Sequence, residues 1–70
     1  MSKHGQDAAA LRGYIGSLRA IELRVQEIDG MLYDEGLTTA HTMRKPLITS
    51  LNLLEQLQNS LDQAAKALVD

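Results

Sequence analysis

Seventy residues without Cys, Trp or Phe leave room for one small domain and exclude disulfides and thiolate metal sites. Seven Lys and Arg against nine Asp and Glu give a formal net charge of −2, which supplies no general drive toward nucleic acid or anionic membranes. No apolar run reaches the roughly 18 residues a membrane span needs, and Met1 to Ala10 holds no apolar stretch of signal-peptide length, so a cytoplasmic protein without a membrane partner is expected.

Core volume has to come from Leu, Ile, Val, Met and Ala, with Tyr14 and Tyr33 as the aromatic residues. That composition favours helices over sheets, which draw on β-branched and aromatic side chains. With 44% hydrophobic and 23% charged residues, the chain is not of disordered composition.

Residues 1–6 are polar and read as a flexible N-terminal tail; residues 7–70 read as a single helical-hairpin domain. Asp7 is a candidate N-cap, followed by the helix formers Ala8, Ala9 and Ala10. Apolar residues then return at Leu11, Tyr14, Leu18, Ile21, Val25, Ile28 and Leu32. The 3-4-3-4 spacing is a heptad pattern and predicts a helix over about 8–35. Gly36 suits the residue just beyond its C-terminus.

Thr38 or Thr39 can cap a second helix, over about 39–69. Its pattern runs through Ala40, Met43, Leu47, Ser50, Leu54, Leu57, Leu61, Ala64 and Leu68. Pro46 lies inside it, lacks a backbone donor and crowds the preceding turn. Either one kinked helix passes through Pro46, or a short helix ends near Arg44 and a longer one starts with Pro46 at its first position. The unbroken heptad phase favours the first.

Folding the two patterns against each other about the turn predicts an all-α, antiparallel two-helix hairpin centred between residues 37 and 38. The expected layers are Leu11–Ala64, Tyr14–Leu61, Leu18–Leu57, Ile21–Leu54, Val25–Ser50, Ile28–Leu47 and Leu32–Met43. In that register Arg12 falls near Asp62, Arg19 near Glu55 and Asp29 near Arg44. A single hairpin of this size covers little apolar surface, so a homodimer that closes into a four-helix bundle is expected.

No catalytic constellation is present: no Ser-His-Asp set, no phosphate loop, and no His-x-x-x-His or Glu-x-x-His pair. An enzyme is therefore not expected, nor are catalytic residues, a cofactor or a metal site. Asp34 and Glu35 read as a solvated helix end, and His41, Arg44 and Lys45 as an ordinary basic face.

Two surfaces stand out instead. On the outer side of helix one, Ala9, Gly13, Gly16, Ala20 and Leu23 form a stripe of small residues ending in one Leu, flanked by Arg12, Arg19, Gln26 and Tyr33. Small residues admit close helix approach, and Arg and Tyr are favoured at interfaces, so this face is the predicted partner-binding surface. The other surface joins Ala10, Ser17, Arg24 and Met31 to Leu53, Ser60 and Ala67, beside Pro46. It is nearly uncharged and is the predicted oligomer interface.

These features predict a small non-catalytic protein-interaction module (a regulator, inhibitor, anti-activator or co-chaperone) that binds a larger protein through a helix face. In architecture alone, the layout resembles the small hairpin co-chaperones of bacterial type III secretion needles and the Rop-type repressors, dimers of helical hairpins that bind RNA. The second resemblance implies the alternative of an RNA-binding regulator, with Arg12 and Arg19 doubled across a dimer axis. Yet Arg12, Arg19 and Arg44 each have an acidic neighbour in the predicted register, so nucleic acid is not the expected partner. A purely structural oligomerisation unit is the remaining alternative.

Overall fold

The computed structural model describes residues 4–35 and 38–69, apart from the side chains of 35 and 38–41. Helix α1 spans Gly5–Glu35 and helix α2 spans Thr38–Val69. They pack antiparallel along their whole length in a hairpin measuring 55 × 15 × 10 Å. The fold is the all-α hairpin that the heptads predict, with no strand among the described residues.

The first helix begins three residues ahead of the predicted start. The Ala8 amide donates to the His4 carbonyl at 2.9 Å, so Asp7 lies inside the first turn rather than capping it. Its carboxylate still faces the positive end of the helix dipole. Helix α2 passes through Pro46 without a break, which decides for the continuous reading. The turns after the proline carry side-chain bonds back to the backbone: the Ser50 hydroxyl donates to the Pro46 carbonyl at 2.8 Å and Thr49 to that of Lys45 at 3.1 Å. Gly36, and the Thr38 and Thr39 side chains proposed as caps, lie outside the described residues.

The seam differs from the predicted one by half. Leu11, Leu18, Val25 and Leu32 are covered as expected, and so are Leu47, Leu54, Leu61 and Leu68. The second row on α1, however, is Ala8, Ile15, Glu22 and Asp29, not Tyr14, Ile21 and Ile28. On α2 it is Arg44, Leu51, Gln58 and Ala65, not Met43, Ser50, Leu57 and Ala64. Each helix is thus rolled so that the row four residues on from the leucine row, rather than three, faces its neighbour. The two candidate rows lie roughly 100° apart on a helix, and both fit the same seven-residue period. The observed row carries Asp29, Arg44, Glu22 and Gln58, which bond across the seam.

The resulting core is thin. Among the described residues only Ala8, Ile15 and Ala65 are buried, and no large side chain is fully enclosed. Ala65 is completely covered, and in this register it falls level with Ala8. Small residues on both helices at that level allow the backbones to approach closely.

Candidate functional site: the two broad faces of the hairpin

Directional bonds lock the two helices in register. Arg44 on α2 grips the Asp29 carboxylate with two parallel bonds, Nε to Oδ1 at 2.7 Å and Nη2 to Oδ2 at 3.0 Å. Both side chains are largely covered, at 22% and 17% exposed. The Arg44 guanidinium also stacks 4.9 Å above the centre of the Tyr33 ring, a favourable cation–π contact. Gln58 donates to Glu22 at 2.9 Å. At the far end Arg12 reaches Asp62 at 2.9 Å, and Lys66, one turn along α2, adds a second cation at 3.1 Å. The predicted pairs Arg12–Asp62 and Asp29–Arg44 form. The predicted Arg19–Glu55 pair does not, and both residues are exposed.

The bonds from Arg44 hold the Asp29 carboxyl below the usual aspartate range. Those from Lys66 first, and Arg12 second, do the same for Asp62. An unfolded chain binds protons at these carboxyls before the folded one does as pH falls. Their contribution is therefore complete above the ordinary aspartate value near 3.9 and is lost as pH drops through the lowered folded values. Thermal midpoints of the wild type are expected to fall steeply below about pH 4. The corresponding fall should be shallower in Asp29→Asn, which starts from a lower midpoint at neutral pH. Parallel profiles for the two proteins would show that the Arg44 pair contributes nothing to folding.

Rolling the helices leaves the most apolar rows of both uncovered, and both emerge on the same broad side of the hairpin. From α1 this side carries Tyr14, Ile21, Ile28 and Met31; from α2 it carries Met43, Leu53 and Leu57, all at least 44% exposed. Seven of the eleven large apolar side chains left exposed among the described residues therefore share one face, a concentration that surface residues scattered singly would not give. Ala10, Ser17, Ser60 and Ala67 fill the spaces between them, and all four are exposed. Among the described residues the ionised groups on this side are Arg24, held by Glu27 one turn along its own helix, and Asp7, one heptad before Tyr14 at the end of α1 and 3.6 Å from His4. The predicted oligomer-interface residues thus lie on an open apolar face, together with the side chains that the heptads assign to the seam.

The opposite broad side is polar. A groove of roughly 410 Å³ runs between the helices there, lined by Arg12, Ile15, Gly16, Arg19, Gln58, Asn59 and Asp62. The predicted partner-binding residues Ala9, Arg12, Gly13, Gly16, Arg19, Ala20, Leu23, Gln26 and Tyr33 are all exposed, and Leu23 projects at 57% exposure. A Cβ added at Gly13, Gly16 or Gly30 would meet open space. Nothing within the chain approaches these glycines closely, so their helix cost of about 1 kcal/mol each is not offset by packing inside the hairpin. Tyr33 is engaged with Arg44 rather than presented alone.

Among the described residues no group of His, Asp and Glu is arranged to hold a metal ion. Nor, among the described residues, is any helix long and apolar enough to cross a membrane. What the fold presents is an all-α helical hairpin with one apolar and one polar broad face. Comparison with family models, with curated proteins and with solved structures finds no match for this chain.

Proposed function

We propose that the protein is a small non-catalytic interaction module, a regulator, inhibitor or co-chaperone, whose working surface is the apolar broad face rather than the small-residue stripe. The observation that carries this reading is the concentration of exposed Tyr, Ile, Met and Leu on one side of a nearly coreless hairpin. A lone domain gains nothing from displaying such a surface to water, whereas an interface is built by covering one. The small-residue stripe and its groove remain a second surface, on the side that stays wet. RNA binding is less well supported. Of the six described cations, Arg12, Arg24, Arg44 and Lys66 are engaged in ion pairs, which leaves Arg19 and Lys45 for phosphates.

The experiment is to ask what the apolar face does in the folded protein. Either the face is covered, and Tyr14 is protected from aqueous modification in the native protein but not in the denatured one, or it is open and binds an anilinonaphthalene dye. A helical, cooperatively melting chain with a reactive Tyr14 and no dye binding would refute the reading.

A further inference from the structure

We infer that the occupant of the apolar face is a second copy of this chain, and that the two hairpins close into a four-helix bundle with Tyr14, Ile21, Ile28 and Leu57 as its shared core. The inference rests on the interaction reading above and names its first partner.

Three observations favour a copy over any other occupant. The first is area. The chain exposes 5393 Å², against about 4,300 Å² for a folded monomer of its 7.7 kDa mass. The excess, about 1,100 Å² per chain, matches what each partner contributes to a stable interface, roughly 800 Å² in standard cases and more in obligate homodimers. The second is shape. The face extends along both helices of a hairpin 55 Å long, and a second hairpin has that length and the same heptad spacing to interleave with it. The third is charge. In a two-fold dimer the same patch meets itself, so a patch carrying many like charges would repel its copy. Here the ionised groups among the described residues are few and of mixed sign: Arg24, paired with Glu27, and Asp7 at the end of α1, beside His4.

The assignment also accounts for the heptads. In a four-helix bundle each helix faces its own hairpin partner on one side and the second hairpin on the other. The leucine rows stand between, Ile15 and Asp29 face within the hairpin, and Tyr14 and Ile21 face across. Both apolar rows of the sequence then leave water, each for a different neighbour.

The test is solution mass by light scattering over a dilution series from the highest soluble concentration, for the wild type, the double variant Ile21→Glu/Leu57→Glu and the control Leu23→Glu on the opposite face. The expected result is about twice the 7.7 kDa chain mass for the wild type and for Leu23→Glu, and a halving to the single-chain mass in the double variant. Because that variant risks losing its fold, a mixture of isotope-labelled and unlabelled wild-type chains supplies a second readout: nuclear Overhauser contacts from Tyr14 or Ile21 to the other chain. A wild type at single-chain mass throughout overturns the inference. So does a dimer that persists in the double variant and shows no interchain contact to Tyr14 or Ile21. In the single-chain case, dye binding separates two failures. If the folded monomer binds dye, the second copy is wrong and the interaction reading stands; if it does not, both fall.

Discussion

Replacing Ala65 by Leu is expected to lower the thermal midpoint of the protein by roughly 5–20 °C, the effect of about 1–3 kcal/mol of overpacking in a domain of this size. Ala65 is the one described residue with no exposed surface, and it falls level with Ala8 on the facing helix, so the added carbons of Leu would have to displace neighbours. Leu is the better helix former among large side chains, so any loss reports crowding and not propensity. The measurement is a circular-dichroism melt at fixed chain concentration, with Ala64→Leu alongside. Ala64 is exposed although the heptad pattern assigns it to the seam, so its replacement should not crowd α1. Where scattering gives the single-chain mass, a larger loss for Ala64→Leu than for Ala65→Leu would mean that the helices are rolled as the sequence pattern implies and not as described.

Truncating Ile15 to Ala is expected to cost about 2 kcal/mol or more, the low end of the range for large-to-small core changes. The low end applies because Ile15 retains 9% exposure and borders the open groove, where neighbours can settle into the vacated space. Total stabilities of about 0.05–0.15 kcal/mol per residue imply that this is a large share of what a 70-residue chain has. The variant should therefore show a clear drop in its urea midpoint. Leu23→Ala, an apolar truncation at an exposed site one turn-set further along α1, should stay within about 0.5 kcal/mol of wild type. Equal losses at the two positions would show that Ile15 is no more central to the fold than a surface leucine.

The contrast between Ile15 and Ile21 shows how far the sequence carries. Hydropathy at heptad spacing was sufficient for the two helices, their antiparallel pairing and the leucine rows from Leu11 to Leu32 and from Leu47 to Leu68. Charge placement in the common register pointed to Arg12–Asp62 and Asp29–Arg44, which form, and equally to Arg19–Glu55, which does not. The roll of the helices was not legible. A hydrophobic pattern ranks residues by what they gain on leaving water, not by which neighbour covers them. Tyr14, Ile21 and Ile28 outrank Ile15, Glu22 and Asp29 on that scale, yet the hairpin closes on the second set, whose acids bond to Arg44 and Gln58. The signal that pointed the right way was the mixed row itself, with acids on α1 and their bonding partners Arg44 and Gln58 in the corresponding row of α2. For the surfaces, the nearly uncharged flank marked by Ser17, Met31 and Leu53 was legible. That it merges with the exposed Tyr14–Ile21–Ile28 row into one wide face was not, because this follows from the roll.

The spacing of the cross-links along the hairpin has a kinetic consequence. Asp29 and Arg44 are 15 residues apart in the chain, and Arg12 and Asp62 are 50 apart. Closing the short loop first leaves only about 1 kcal/mol of additional closure entropy for the longest one, spread over the layers between. Contacts can then form in sequence order, as a zipper does, without any long search, and folding of the hairpin is fast for its size. The Arg44–Asp29 end is expected to set the folding rate and the Ala8–Ala65 end to close last and open first, so crowding at Ala65 should be felt in how quickly the chain unfolds and scarcely in how quickly it folds.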